Sequence, residues 1–369
     1  MNLMNLMNAR PRRRQSLSGV LSLLTSLIAG AAMAADTPKL VTEEFMVPAV
    51  DPGIQIYVRN KRPENLRNFG PDNIVLFVHG ATTPAETGFD LKLDGVSWME
   101  TIAARGYDTY FVNVRGYGKS TRPPEMDQPP QNNGPIVRTD VAARDVGAAV
   151  DFIRKRRGVA KINLIGHSWG TRIMSMYTIG NNDKVNKLVL FAPGWIRQSA
   201  SLTDPGGKLG AYRVVDLEAV KKRRNTGLPE GMKHSDLMPE AWFNTWAEAA
   251  FASDPWGNQQ NPKVLRAPTG SQADTRDYWS NGGSNGGSNS GSGGKAQYDP
   301  AGIRVPTLLI LAEWDADTPP YMAQALFPKL VNSPNKRLVI IGEGTHIVFT
   351  EKNRMHLFRQ VQSFLDEKF

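Results

Sequence analysis

The 369-residue sequence contains no cysteine. This absence excludes disulfide bonds, metal sites built on thiolates, a cysteine nucleophile and a lipid anchor on an N-terminal cysteine. Histidine is also scarce, with five in the chain, so a general base of this type has few candidates. A fold without crosslinks must be stabilised by its core, and 40% apolar residues in a chain of this length suffice for one.

The sequence also lacks an uninterrupted apolar run of the roughly 20 residues that a membrane-spanning helix needs. Its N-terminal apolar segment follows four arginines, ends in small residues and is interrupted by Ser22, Thr25 and Ser26. We interpret residues 1–34 as a signal peptide cleaved after Ala34, which predicts export to a bacterial periplasm or to the medium without a stable membrane anchor. A retained membrane anchor is the alternative.

The excess of positive charge is small. The predicted signal peptide carries four arginines and no acidic residue, so its removal lowers the formal charge from +9 to +5. Two basic clusters, 154–157 and 221–224, fit solvated helix faces better than a nucleic-acid patch, so we expect no nucleic-acid partner. The run NGGSNGGSNSGSGG, residues 281–294, predicts a flexible surface loop.

Eight short apolar runs alternate with helical patterns and predict an α/β fold. Continuous apolar runs are typical of strands covered on both faces, and their alternation with helices predicts a mainly parallel eight-stranded sheet flanked by helices. One helical pattern spans 140–156, with its apolar residues on one side. The strand-like runs are VTEEFMV, IQIYVRN and the segments 74–80, 108–114, 162–166, 187–193, 307–315 and 337–344.

The alternation stops between Pro193 and Arg304, which predicts a mostly helical cap inserted after the sixth strand. Helical patches are expected near 214–224 and 239–252. Aromatic residues in this interval fit either a small core of the cap or the lining of a substrate pocket. The predicted boundaries are 35–194 and 304–369 for the α/β core and 195–303 for the cap.

The motif GHSWG, residues 166–170, lies between the strand-like INLI and a helical pattern. A serine between two glycines fits a sharp strand-to-helix turn, because the glycines leave room for the turn and the hydroxyl is exposed at its apex. The N–H of Trp169 would then point toward an attacked carbonyl. This context predicts Ser168 as a nucleophile.

Together with four further motifs in a fixed order, GHSWG resembles the α/β-hydrolase family from about residue 41 to residue 369. The family's chain order is serine, acid, histidine, and the resemblance implies a triad of Ser168, Asp315 and His346, without metal or cofactor. Glu313 and Asp317 are the competing acids, and a turn or helix-capping role is the alternative for Asp317. The other motifs are LFVHG (76–80), NVRGYGKS (113–120), AEWDADTP (312–319) and GEGTH (342–346).

The resemblance also implies an oxyanion hole formed by the backbone N–H groups of Ala81 and Trp169. One motif departs from the family: NVRGYGKS starts with Asn113 where relatives have aspartate, which puts a supporting pair with Arg115 in doubt. Dehalogenases and epoxide hydrolases carry aspartate at the position of Ser168, so neither activity is expected.

We predict hydrolysis of a carboxylic ester, in a small-molecule or oligomeric substrate, through an acyl-enzyme. An aminopeptidase similar to prolyl iminopeptidases is the alternative, although those usually have glycine where this chain has His167. Such an enzyme would need acidic cap residues, for which Glu218, Glu240 and Glu248 are the candidates. A noncatalytic binding protein on the same scaffold is a third possibility.

Overall fold

The computed structural model describes residues 38–279 and 295–369. The predicted signal peptide, residues 1–34, and the predicted flexible loop, residues 281–294, lie outside the described residues. Within the described ranges, every helix is too short or too polar to cross a lipid bilayer.

Eight of the strands form one sheet, in the order β1-β2-β4-β3-β5-β6-β9-β10. The pairings of β2 with β1 and β4 are antiparallel, and the others are parallel. The predicted mainly parallel eight-stranded sheet is therefore confirmed. The strands are β1 Leu40–Pro48, β2 Gln55–Pro63, β3 Ile74–Val78, β4 Asp108–Asn113, β5 Ile162–His167, β6 Val185–Phe191, β7 Tyr212–Asp216, β8 Val264–Pro268, β9 Thr307–Ala312 and β10 Arg337–Ile341.

Helices lie between most of these strands and cover both faces of the sheet with apolar side chains. The predicted helix 140–156 is α3, which ends where Gly158 adopts a left-handed conformation, with φ of 66°. The helices are α1 Glu86–Phe89, α2 Trp98–Ala103, α3 Thr139–Arg157, α4 Trp169–Gly180, α5 Leu217–Arg224, α6 His234–Leu237, α7 Glu240–Ala252, α8 Gly270–Asp274, α9 Pro320–Leu326 and α10 Arg354–Asp366.

The segment between β6 and β9 contains the antiparallel pair β7 and β8 as well as helices α5 to α8. The prediction of a helix near 214–224 was wrong at its start, because Val214 belongs to β7 and the helix begins at Leu217. The physical reason is a cap: the Asp216 side chain accepts a hydrogen bond from the N–H of Ala219 at 2.7 Å, which starts the helix there.

The parallel strands bring four loops to one edge of the sheet. Strands β3, β5, β9 and β10 run in the same direction, so the loops after their carboxyl ends lie together. Ala81, Ser168, Asp315 and His346 belong to these four loops. The topology therefore gathers the predicted site residues at this edge.

Candidate active site

Ser168 occupies a strained turn between β5 and α4. Its backbone φ is 55° and its ψ is −118°, a conformation that L-residues rarely adopt. The two flanking glycines make the turn possible, because a Cβ atom on Gly166 would lie 2.4 Å from the carbonyl oxygen of Gly170. A Cβ atom on Gly170 would lie 2.6 Å from the carbonyl oxygen of Val78. Both glycines are therefore required for the close packing of β5, α4 and the end of β3.

His346 is hydrogen-bonded to Asp315 in the buried interior of the site. The distance between His346 Nδ1 and Asp315 Oδ2 is 2.8 Å. Because a carboxylate only accepts, Nδ1 carries a proton, and in the neutral ring Nε2 has a free lone pair. His346 Nε2 is buried and makes no hydrogen bond within the described ranges. His346 lines the same cavity as Ser168.

Thr318 holds the carboxylate of Asp315 in place. Its N–H donates to Asp315 Oδ1 at 2.7 Å, and its hydroxyl lies 2.8 Å from Oδ2. One competing acid, Asp317, pairs instead with Arg223 at 2.9 Å. The structure therefore brings Asp315, and not Asp317, into hydrogen-bond contact with the imidazole.

The electrostatics of the site favour the protonated imidazole of His346. Burial alone would lower the pKa of His346, but the charges of Asp315 and Asp317 outweigh burial and raise the pKa above its ordinary value of 6.5. Burial alone would raise the pKa of Asp317. The charge of Arg223 is the largest of the effects that oppose burial, and together they hold the pKa of Asp317 below its usual range. Asp317 is consequently ionised at neutral pH.

The two histidines near Ser168 have structural partners. His79 Nε2 accepts from the N–H of Val114 at 3.2 Å, so its Nδ1 carries the proton and donates to the carbonyl of Gly80 at 2.7 Å. Burial lowers the pKa of His79 to about 4, which keeps the ring neutral. His167 Nε2 lies 3.0 Å from the carbonyl oxygen of His346. These rings position the loops of the site.

Two backbone N–H groups at the site have no acceptor. Within the described part of the chain, neither the N–H of Ala81 nor that of Trp169 donates a hydrogen bond. Trp169 is the first residue of α4, where helical geometry leaves N–H groups unpaired. Gly80 allows the loop after β3 to lie close to Ser168, since a Cβ atom at position 80 would lie 3.2 Å from Ser168 Cβ.

A cavity of about 260 Å³ adjoins Ser168 and His346. Much of its lining is apolar and comes from the segment between β6 and β9, including Leu202, Val215 and Val220. Trp246 contributes both to this lining and to a small core with Phe251.

The acidic residues proposed for an aminopeptidase lie elsewhere. Glu218, Glu240 and Glu248 are exposed, and none of the three lines the cavity. The cavity presents arginines instead, at positions 213, 223 and 224. Sequence reasoning missed Arg213 because a single cation carries no recognisable pattern. Arg223 and Arg224 belong to the basic cluster 221–224, and its interpretation as a solvated helix face was wrong for Arg224, because that side chain is buried against Trp246 and Met238.

Arg115 forms its ion pairs with carboxylates other than the one expected from the family. Arg115 forms a buried pair with Asp145 of α3, with a shortest distance of 2.5 Å, and a second pair with Asp51 at 2.7 Å. Asn113 instead donates to Glu86 at 2.8 Å. The departure at Asn113 therefore does not leave Arg115 without a carboxylate.

The loop that carries His346 is held by Glu351, which sequence reasoning also missed. This fully buried carboxylate accepts hydrogen bonds from both the N–H and the hydroxyl of Thr345. It also lies 3.4 Å from His234 Nε2 of α6. The loop therefore packs against α6, in the segment between β6 and β9.

One group of described residues brings possible metal ligands together. Ligand atoms of Asp315, Asp317 and His346 lie within 4.8 Å of one another. Each already has a partner in the protein, because His346 donates to Asp315 and Asp317 pairs with Arg223. These contacts fit a hydrogen-bonded acid–base pair better than an octahedral or tetrahedral cage.

The sheet topology, the strained serine turn and the paired histidine define a protein of the α/β-hydrolase class. The model of the α/β hydrolase fold family matches residues 73–353, and the chain belongs to this family.

Individual relatives are more distant. Over 213 residues the chain is 26% identical to the human lysosomal acid lipase/cholesteryl ester hydrolase, which covers 56% of this chain and 49% of the relative. Over 171 residues it is 25% identical to a 2-hydroxy-6-oxononadienedioate/2-hydroxy-6-oxononatrienedioate hydrolase of Cupriavidus pinatubonensis, which covers 45% of this chain and 53% of the relative. The chain thus spans about half the length of the curated relatives it matches.

Among solved structures, a serine hydrolase from Cycloclasticus zankles superimposes with a TM-score of 0.56 at 15% identity. The match covers 89% of this chain and 98% of the other. At this identity the similarity concerns the fold alone. Family membership and these relatives are consistent with hydrolase activity.

Proposed function

We propose that the protein is an exported serine hydrolase that cleaves a carboxylic ester through an acyl-enzyme. The single observation that carries the proposal is the 2.8 Å contact between His346 Nδ1 and Asp315, which leaves a buried Nε2 lone pair in the cavity lined by Ser168. The apolar lining suits a hydrophobic part of the substrate. One relative of the chain is named for a lipase and cholesteryl ester hydrolase activity.

In the first half of the reaction, Ser168 Oγ attacks the ester carbonyl while His346 Nε2 takes the hydroxyl proton. Asp315 stabilises the imidazolium that forms. The carbonyl oxygen gains negative charge and accepts hydrogen bonds from the N–H groups of Ala81 and Trp169. His346 then gives its proton to the leaving alkoxide, and the acyl group remains on the serine.

In the second half, water attacks the acyl-enzyme and His346 takes its proton. The tetrahedral intermediate collapses with release of the carboxylic acid, and the proton returns to Ser168. The oxyanion donors act in both halves. A single donor of this kind is typically worth about a hundred- to a thousandfold in turnover.

The test of this function is labelling with a fluorophosphonate probe together with turnover of p-nitrophenyl acyl esters. Wild-type protein is expected to be labelled and active, whereas Ser168→Ala is expected to lose labelling and at least about a thousandfold in kcat. The matched control is Ser235→Ala, at an exposed serine on α6 that does not line the cavity. Folded wild type that is neither labelled nor active would favour a noncatalytic binding protein.

Proline p-nitroanilide serves as the competing substrate in the same assay. Faster turnover of this amide than of the esters would favour the aminopeptidase alternative.

Export is supported by the arginines and the apolar segment in residues 1–34. Sequencing of the mature N-terminus checks it, with Ala35 as the expected first residue.

A further inference from the structure

The cavity beside Ser168 contains more positive charge than its own carboxylates neutralise. Arg213, Arg223 and Arg224 line it, against Asp204 and Asp317. Both acids are already paired, Asp317 with Arg223 and Asp204 with Arg276. Within the described ranges, Arg213 and Arg224 form no ion pair with a carboxylate.

Arg213 lies beside the loop that carries Ala81. Its Nη2 donates to the hydroxyl of Thr82 at 2.6 Å and to the carbonyl of Ala81 at 3.3 Å. Its Nε is buried and has no hydrogen-bond partner within the described residues. Burial, reinforced by the nearby charge of Arg223, lowers the pKa of Arg213 to about 10, so the side chain remains a cation at neutral pH.

Arg224 is the second cation without an ion pair within the described ranges, and it is 8% exposed. The buried carboxylate of Glu351 lies beyond ion-pair distance and offsets only part of the cost of burying Arg224. The guanidinium carbon of Arg224 lies 3.9 Å from the ring centre of Trp246, and Nη1 contacts the sulfur of Met238. Burial lowers the pKa of Arg224 to about 9, so this cation is also protonated at neutral pH. An aromatic ring and a thioether stabilise a cation much less than a carboxylate does.

Buried cations without a counter-ion are costly, because each has lost hydration that no opposite charge replaces. A substrate that brought a carboxylate into this cavity would recover part of that cost. A substrate amine would instead meet two unneutralised arginines. The cavity therefore discriminates by charge as well as by its apolar lining.

We propose that the substrate of this enzyme carries an ionised carboxylate in addition to its ester, and that Arg213, assisted by Arg224, binds this group beside Ser168. The inference rests on the proposed ester hydrolysis and adds to it the chemical class of the substrate. The apolar residues of the cavity contact the carbon chain between the two groups. Neutral esters of the same length lack the charge-assisted contact.

Matched esters test this inference. Ethyl hexanoate, monoethyl adipate and the corresponding uncharged amide have acyl chains of similar length and differ at the far end of the chain. A fourth ester, in which butanoate is joined to 4-hydroxybutanoate, places the carboxylate on the alcohol side. For each, kcat/KM is measured by acid release at neutral pH in the wild type and in Arg213→Gln, Arg213→Lys and Arg224→Gln.

We expect wild type to prefer one of the two charged esters by about tenfold or more over both uncharged esters. Arg213→Gln should reduce this charged-to-neutral ratio by about tenfold, and Arg213→Lys should restore most of it because the charge returns. The matched control is Arg144→Gln, which removes an arginine of α3 whose side chain is 43% exposed and which does not line the cavity. It should leave the ratio unchanged.

Two outcomes would overturn the inference while the proposed function stands: wild type hydrolyses all four esters with similar kcat/KM, or the preference survives in both Arg213→Gln and Arg224→Gln. If no ester is hydrolysed and Ser168 is not labelled by the fluorophosphonate probe, the proposed function fails and this inference fails with it.

Discussion

In the proposed mechanism, the protonation state of His346 determines whether Ser168 can transfer its proton. Only the neutral imidazole accepts that proton, so activity should fall as the pH drops through the pKa of His346. This pKa is raised: burial would lower it, but the charges of Asp315 and Asp317 more than offset burial. The acid limb of kcat/KM is therefore expected above pH 6.5, the ordinary value for histidine.

A substitution of Asp317 tests whether its charge raises the pKa of His346. Asp317→Asn removes a negative charge that stabilises the imidazolium and leaves Arg223 without its carboxylate. Both effects lower the pKa of His346, so the acid limb should shift to lower pH in a pH profile of kcat/KM. Asp140→Asn is the control, because its side chain on α3 is 61% exposed. An unchanged or upward-shifted limb in Asp317→Asn would contradict the proposed electrostatics.

Among the secondary-structure elements, the junction of β5 and α4 depends most on backbone contact. Gly170→Ala should place a Cβ atom 2.6 Å from the carbonyl oxygen of Val78 and 2.8 Å from that of His79. Because these are backbone atoms, α4 must shift, which we expect to cost about 1–3 kcal/mol of unfolding free energy. The shift also displaces Ser168, so kcat/KM should fall. Urea unfolding and ester turnover measure the two effects.

The same helix provides a matched control at its other end. Gly180 is the last residue of α4, and a Cβ atom there meets nothing within 4 Å. Gly180→Ala should therefore keep activity and change the unfolding free energy by about 1 kcal/mol or less, in the stabilising direction. Equal changes in the two variants would contradict the close contact with β3 as the reason for the glycine at position 170.

The elements that could be predicted from the sequence are those with a local signal. Strand-like runs, continuous and apolar in the later part of the chain, predicted all eight strands of the main sheet, and the two glycines around Ser168 predicted the turn. Strands β7 and β8 were missed because both are short and mix apolar with charged residues, so neither shows the continuous apolar run of a central strand.

Partners that meet only in the fold were also missed, because no local pattern reports such a contact. Glu351, which holds the loop of His346, and Arg213 in the cavity are single polar residues without a motif of their own. Thr318 lies within the motif AEWDADTP, but its hydrogen bonds to Asp315 form only in the fold. The partner of Arg115 could not be predicted either. The aspartate expected at position 113 is absent, and Asp145 of the distant helix α3 forms the pair instead. The roles of Ser168, Asp315 and His346 remain predictions for the experiments above.

In the molecule as a whole, one of the two apolar layers supports the site directly. This layer contains Trp98 of α2, Phe191 at the end of β6, Phe349 just after the His346 loop and Phe358 of α10. The ring of Trp98 stacks on Phe358 at 5.0 Å and meets the edge of Phe191 at 5.7 Å. Packing in this layer thus joins two helices, the central sheet and the loop of His346.

Trp98→Ala should therefore lower the unfolding free energy by about 3–5 kcal/mol, since it removes a side chain that is 1% exposed and leaves a cavity among several rings. Trp256→Ala is the matched control: that side chain is 44% exposed, and its loss should cost about 1 kcal/mol or less. Urea unfolding of both variants gives the comparison. Similar losses would show that the aromatic layer beneath the site does not carry the stability of the fold, because an exposed tryptophan would then matter as much as the one at its centre.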